Sequence, residues 1–213
     1  MNARKSLLLV LAAAILACGC TQASSRTDVA SSAAGIQPAL IGTTIPNVCV
    51  QTPDGKFHNL RAYLAQKPTV LVIYRGNWCV YCQKQLADLK RIQPDLMTLG
   101  YQIVAVSPDS PQELQKSIAG RNLDYVLLSD THMDAAKTLG LAFYVDPETR
   151  REMERFGVSA VNLSAQPQWM LPVPAVFIVN TSGGVRWEYV NPDYRERVPT
   201  DVLLSAARSL AEK

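Results

Sequence analysis

The stretch Thr69-Val-Leu-Val-Ile-Tyr-Arg-Gly-Asn-Trp-Cys79-Val-Tyr-Cys82 decides how this chain folds. Its opening run to Tyr74 is apolar and rich in β-branched side chains, the composition of a strand buried on both faces. Gly76 and Asn77 break that run. After the cysteines, Leu86, Leu89, Ile92 and Leu96 recur at the spacing of one helix face. The two cysteines therefore stand where a central strand ends and a helix begins. Unpaired N–H groups and the positive end of the helix dipole favour a thiolate there, and the thiolate is the attacking species in thiol chemistry. At Cys-x-x-Cys spacing the second sulfur is within disulfide reach of the first. Cys79, nearer the helix start and the solvent, is the expected nucleophile, and Cys82, one turn in, the expected resolving thiol.

On either side of this junction the chain alternates short strands and helices. Pro46 to Val50 and Phe57 to Leu60 read as strands about a Pro-Asp-Gly turn, followed by a short helix over Arg61 to Gln66. Gln102 to Ser107 is a second apolar strand, and Ser110 is expected to cap a helix opening at Pro111. Tyr125 to Leu128 is a third strand, Asp134 to Leu139 a helix closed by Gly140, and Pro147 to Phe156 a polar surface helix. Ala175 to Val179 and Val185 to Val190 form a hairpin. Thr200 is expected to cap a last helix with Leu203, Ala206, Ala207 and Leu210 on one face. Strands separated by helices imply parallel pairing, and the hairpin adds antiparallel edge strands. The expected architecture is α/β: one domain with a central mixed sheet flanked by helices, in the thioredoxin-like order.

The 213 residues suffice for one well-filled core. Arg4 and Lys5, the apolar run Leu7 to Ala17 and then Cys18 have the layout of a secretory signal, too short to span a membrane comfortably. Ile15-Leu16-Ala17-Cys18 resembles a bacterial lipobox, so residues 1–17 are expected to be a signal peptide and Cys18 the lipidated residue, with Cys20 the second choice. Residues 18–36, rich in Ser, Ala and Thr, read as a flexible tether, and residues 37–213 as the thioredoxin-like domain. An exported lipoprotein facing the periplasm follows, held on a membrane surface by its lipid. Gly19, where aspartate marks inner-membrane retention, favours the outer membrane. Lys+Arg 21 against Asp+Glu 18 gives +3, and removing Arg4 and Lys5 leaves +1 with no basic block, which excludes nucleic acid as the expected partner. Outside the cytoplasm disulfides persist, so the dithiol needs an external dithiol as electron donor.

Other chemistry is poorly supplied. Zinc needs four ligands, and beyond Cys79 and Cys82 the expected mature domain offers only Cys49, His58 and His132, without paired spacing. Cys49 reads as an apolar buried thiol, and Asp130-Thr-His-Met-Asp134 as a helix cap rather than a metal loop. No metal is expected, and no cofactor beyond a redox-active Cys79–Cys82 disulfide.

Tyr74-Arg75-Gly76-Asn77-Trp78-Cys79-Val80-Tyr81-Cys82 resembles the Tyr-Arg-Gly-x-Trp-Cys-Pro-Tyr-Cys signature of peroxiredoxin-like proteins of the alkyl hydroperoxide reductase/thiol-specific antioxidant group. Leu128-Ser-Asp130, Leu171-Pro-Val-Pro-Ala175 and Val190-Asn-Pro-Asp-Tyr194 match further, from about Ile41 to the C-terminus. The resemblance implies a thioredoxin-like fold of the peroxiredoxin type. It also implies a cis Val173–Pro174 bond beside the dithiol, and peroxide reduction by Cys79 with Cys82 resolving. Arg75 and Trp78 would shape that site. Three departures stand against it: Val80 replaces the signature proline, and Gly76 and Val72 occupy the places of the threonine and proline in the Pro-x-x-x-Thr-x-x-Cys of typical peroxiredoxins. Reduction of protein disulfides by the same two cysteines is the alternative. A copper-handling carrier ranks third, because such proteins use Cys-x-x-x-Cys and a histidine near the proline, and no histidine follows His132.

Overall fold

A computed structural model describes residues 28–155, 158 and 169–211. Strand β3 (Thr69–Ile73) lies at its centre with every side chain buried. It pairs in parallel with β4 (Gln102–Ser107) and antiparallel with β8 (Ala175–Val179). Alternation along β3 explains the buried run. Val70 and Val72 enter one core, against Leu86, Leu89 and Leu96 of helix α2 (Val80–Thr98), Leu114 of α3 (Pro111–Arg121) and Leu203 of α6 (Thr200–Leu210). Leu71 and Ile73 enter the other, against Leu60 and Leu64 of α1 (Leu60–Leu64) and Ala135 of α4 (Asp134–Thr138). Each such side chain, fully buried, contributes about 1.5–3 kcal/mol, so the strand carrying the dithiol loop is anchored from both faces.

The remaining strands complete a mixed sheet in the order β2-β1-β5-β4-β3-β8-β9, with β1 (Cys49–Gln51), β2 (Phe57–Asn59), β5 (Val126–Ser129) and β9 (Val185–Val190). Strands β1 and β2 form the expected hairpin, and β1 joins β5 through the single pair Gln51 and Ser129. The thioredoxin-like architecture of the peroxiredoxin type, a central mixed sheet flanked by helices, is the one present. Ser110 caps α3 as expected, its side chain accepting from the Glu113 amide.

Several elements differ from the sequence reading. Pro199, not Thr200, takes the N-cap of α6, and Thr200 is the first helical residue. Strands β6 (Ala142–Tyr144) and β7 (Met170–Pro172) form a separate antiparallel pair that was not anticipated, being short and split by a long intervening segment. Helix α5 covers Pro147–Arg155, and Phe156, the last residue expected in it, lies outside the described residues. The bonded part of the domain also starts before residue 37: Ala30 exchanges backbone hydrogen bonds with Ala142 and Tyr144 on the edge of β6. Cys49 is half-buried and disulfide-bonded rather than a free apolar thiol. The expectations for residues 1–17, Cys18 and Cys20 lie outside the described residues.

Candidate active site

Between the end of β3 and the start of α2 the chain makes a tight turn that only glycine allows at residue 76. Gly76 has φ +134°, and a Cβ there would sit 2.7 Å from Trp78 Nε1 and 2.9 Å from Asp109 Oδ1. The same crowding accounts for the missing threonine: a side chain at this place has no room. The Asn77 amide donates to both oxygens of the Asp109 carboxylate, at 3.1 and 2.9 Å. From the other side Gln83 donates to the Asn77 carbonyl at 2.6 Å, and the Cys79 amide donates to the Gly76 carbonyl at 3.2 Å. Ser107, the last residue of β4, donates its hydroxyl to Asp109 at 2.9 Å. The turn is thus clamped to a neighbouring strand before it delivers Cys79 to the N-cap of α2.

Both thiols are free and buried, and Cys82 acts on Cys79 as a hydrogen-bond donor. Neither is open to bulk solvent: Cys79 is 4% exposed and Cys82 completely covered, so the expected exposure of the first is slight. The Cys82 thiol donating to Cys79 is the largest influence pulling the latter down to about 6; burial opposes it, and the Cys82 amide, Arg75 and Arg197 assist. The same hydrogen bond, and then burial, push Cys82 well above the ordinary range, with Arg197 opposing. The charge belongs to Cys79 and the proton to Cys82. At neutral pH Cys79 is therefore more fully thiolate than an ordinary cysteine.

Two arginines surround the pair. Arg75, only 6% exposed, holds its guanidinium carbon 4.0 Å from the Tyr194 ring centroid and 5.0 Å from that of Trp78. Burial lowers its affinity for the proton, and charge on Cys79, Cys82 and Tyr194, with a hydrogen bond to Tyr194, opposes this. Tyr81 meets Tyr194 edge-to-face at 5.7 Å, extending the aromatic wall. Arg197, in the segment before α6, donates from Nη2 to Cys82 Sγ at 3.5 Å. Trp78 packs into the main core and against the cluster of Met153, Trp169 and Leu171.

Val173 and Pro174 lie where the resemblance placed them but not in the expected isomer. No cis bond occurs among the described residues, so Val173–Pro174 is trans. The Val173 amide donates to the Leu141 carbonyl at 2.9 Å, and β8 begins two residues on, at Ala175. Continuing the pair Ile73 and Ala175 by one step sets Pro174 opposite Tyr74, at the mouth of the dithiol turn.

Cys79, Cys82, Arg75 and Trp78 therefore converge as expected. Asp109, Tyr194 and Arg197 were missed. Tyr194 ends a stretch already matched to the family, with Arg197 three residues on; Asp109 follows a parallel strand at its C-terminal end, where α/β folds place functional groups. Met133 takes the N-cap position of α4, and Asp130, three residues before it, accepts from the Ala135 and Ala136 amides at 3.0 and 2.9 Å, satisfying that helix start as a carboxylate rather than binding metal.

A sequence model of the AhpC/TSA family matches residues 41–188. The Haemophilus influenzae protein called peroxiredoxin bcp is 26% identical over 106 residues, 50% of this chain and 68% of its own length. Among solved structures, reduced Prx3 of Vibrio vulnificus in complex with hydrogen peroxide superposes with TM-score 0.65 at 18% identity, covering 79% of this chain and 99% of that one. Peroxidoxin BcpB of Mycobacterium tuberculosis gives TM-score 0.61 at 18% identity, covering 81% and 98%.

Proposed function

Because the chain belongs to the AhpC/TSA family of thiol-dependent oxidoreductases, we propose that it reduces peroxides at Cys79 and closes the cycle through Cys82. One observation carries the reading: Cys79 stands at a helix start one turn from Cys82, whose sulfur accepts from Arg197, and these neighbours draw the Cys79 thiol toward thiolate. The thiolate attacks one peroxide oxygen, the O–O bond breaks, and the other oxygen leaves as alkoxide and takes a proton. Cys79 becomes a sulfenic acid. The Cys82 sulfur then displaces its hydroxyl as water and forms the Cys79–Cys82 disulfide, which two equivalents of thiol reduce. Arg75 and Arg197 stabilise the negative charge that passes between sulfur and oxygen.

The substrate pocket cannot follow the threonine-based design, since Gly76 supplies no hydroxyl. That absence favours a second reading, in which Cys79 attacks a protein disulfide and Cys82 releases the mixed disulfide. Hydrogen peroxide consumption and insulin-type disulfide reduction by wild type, Cys79→Ser and Cys82→Ser separate the two. Peroxide turnover lost in Cys79→Ser supports the first reading; disulfide reduction without peroxide turnover replaces it with the second. The rate is expected to fall below pH about 6 as the Cys79 thiolate is protonated. Export and lipidation at Cys18, with Cys20 as the alternative, complete the proposal, and mass spectrometry of the mature N-terminus in membranes tests that part.

A further inference from the structure

Cys79 stands at the start of α2, where the next residue, Val80, is 67% exposed, yet Cys79 itself is only 4% exposed. The segment between β9 and α6, residues 191–199, passes over this helix start. Its Tyr194 ring packs on the Arg75 guanidinium at 4.0 Å and meets Tyr81 edge-to-face at 5.7 Å. Three residues on, Arg197 reaches the Cys82 sulfur at 3.5 Å. The segment thus touches one side chain before Cys79 and two after it, with Tyr194 at the outer edge, itself 41% exposed. Its backbone is braced by its own hydrogen bonds. The Asn191 side chain accepts from the Asp193 amide at 2.9 Å, and the Asp193 carboxylate accepts from the Arg195 amide at 3.0 Å and from its guanidinium at 2.7 Å. Arg197 donates to the backbone carbonyls of Tyr194 and Glu196. None of these bonds uses the Tyr194 side chain, so the ring can be changed without unpicking the segment. A ring held in this way beside a nearly covered nucleophile sorts reagents by size, and a fixed pocket separates molecules differing by one methylene by about 10–200-fold.

We propose that Tyr194 is a specificity-determining residue of this site, admitting hydrogen peroxide to Cys79 and holding back aryl hydroperoxides and protein disulfides. The proposal rests on the peroxide reading given above and names the substrate class within it. Hydrogen peroxide has two heavy atoms, so the narrow approach left beside the ring suffices for it. The thiolate takes one oxygen and becomes sulfenic acid, the O–O bond breaks, and the other oxygen leaves as hydroxide and is protonated to water. A hydroperoxide bearing a phenyl ring, or a disulfide on a folded protein, brings its bulk to the place where Tyr194 and Tyr81 meet.

A test that needs no turnover follows alkylation of Cys79 in the reduced full-length protein by peptide mass spectrometry, using iodoacetamide and iodoacetanilide. The two reagents share a reactive group and differ by a phenyl ring. With each rate divided by that of free cysteine, iodoacetamide is expected to lead by roughly tenfold or more. Tyr194→Ala is expected to bring the ratio to about twofold or less, whereas Tyr194→Phe, which keeps the ring, retains it. Tyr194→Leu is expected to fall between them and replaces Tyr194→Ala if that variant does not fold. A change in Cys79 acidity on losing the ring acts on both reagents alike and cancels in the ratio. Hydrogen peroxide and cumene hydroperoxide are expected to show the same order and the same response to the three variants. Equal normalised alkylation rates in the wild type, or a preference untouched by Tyr194→Ala and Tyr194→Leu, overturn the proposal. Measurable insulin reduction that Tyr194→Ala does not accelerate overturns it too. Size selection at Cys79 by a protein that consumes no peroxide sustains the gate and sinks the peroxidase reading; peroxide consumption without size selection does the reverse.

Discussion

Asp109 and Asp130 follow the C-terminal ends of two neighbouring parallel strands, β4 and β5, whose last residues Ser107 and Ser129 lie side by side. Both carboxylates are buried, at 2% and 4% exposure. Burial pushes both upward, Asp109 to about 6 and Asp130 to about 7, against the hydrogen bonds each accepts. Yet Asp130 holds the amides of a regular helix five and six residues further on. Asp109 holds an irregular turn whose amide comes from Asn77, 32 residues earlier in the chain, and a hydroxyl from Ser107. One carboxylate starts a helix; the other fixes where Cys79 sits. Depth and acidity do not distinguish a structural acid from a functional one here, and the identity of what it holds does.

Replacing each by alanine should separate these roles most strongly. Asp109→Ala frees the turn, and a shift of about an ångström in a reacting group can cost roughly a hundredfold in rate. A loss of that order in Cys79 oxidation is expected. Asp130→Ala should leave the rate of folded protein within about twofold while costing about 1–3 kcal/mol in stability from two orphaned buried amides. Stopped-flow oxidation and urea denaturation on both variants check this, and equal damage to the rate in the two breaks the comparison.

Acid titration sharpens it next. Each folded-state value lies above the unfolded one of 3.8, so between pH 4 and 6 for Asp109, and up to 7 for Asp130, the folded protein binds more protons than the unfolded chain. Their contribution to stability is therefore complete below pH 4 and is lost as pH rises, with a slope approaching about 1.4 kcal/mol per pH unit for each group. Relative to wild type, Asp130→Asn should flatten the profile up to pH 7 and Asp109→Asn only up to 6. Denaturation midpoints at pH 4.5, 5.5, 6.5 and 7.5 would reveal the two windows, and identical profiles would remove the distinction.

The smallest effect lies in the paired serines. Ser107 donates to Asp109, whereas the Ser129 hydroxyl is buried without a partner among the described residues. Ser107→Ala is expected to cost about 1 kcal/mol and to move Asp109 further upward, and Ser129→Ala to stay within about 0.5 kcal/mol. A larger cost for Ser129→Ala in the same denaturation assay reverses the expectation.

The strand-to-helix junction was legible because its signals are local: a β-branched run, a glycine break, then leucines at helical spacing, all within Thr69 to Leu96. Ser110 and Asp130 were legible for the same reason, each bonding to amides of the helix that follows. Asp109 and Arg197 were not, because what they touch is fixed by strand register and by the packing of α6 on α2, which no window of sequence contains. The proline at residue 174 shows the opposite failure. Its position was read through resemblance, but its isomer, trans in the structure, is set by tertiary context that no window of sequence contains.

The single rung joining β1 to β5 gives the sheet a seam. Hydrogen exchange should find it: the amides of Cys49 to Asn59 can open together while β3, β4 and β8, zipped along their full lengths, stay protected. The molecule would then breathe at the margin far from β8, leaving β3, the strand that leads into the dithiol turn, among the last to exchange.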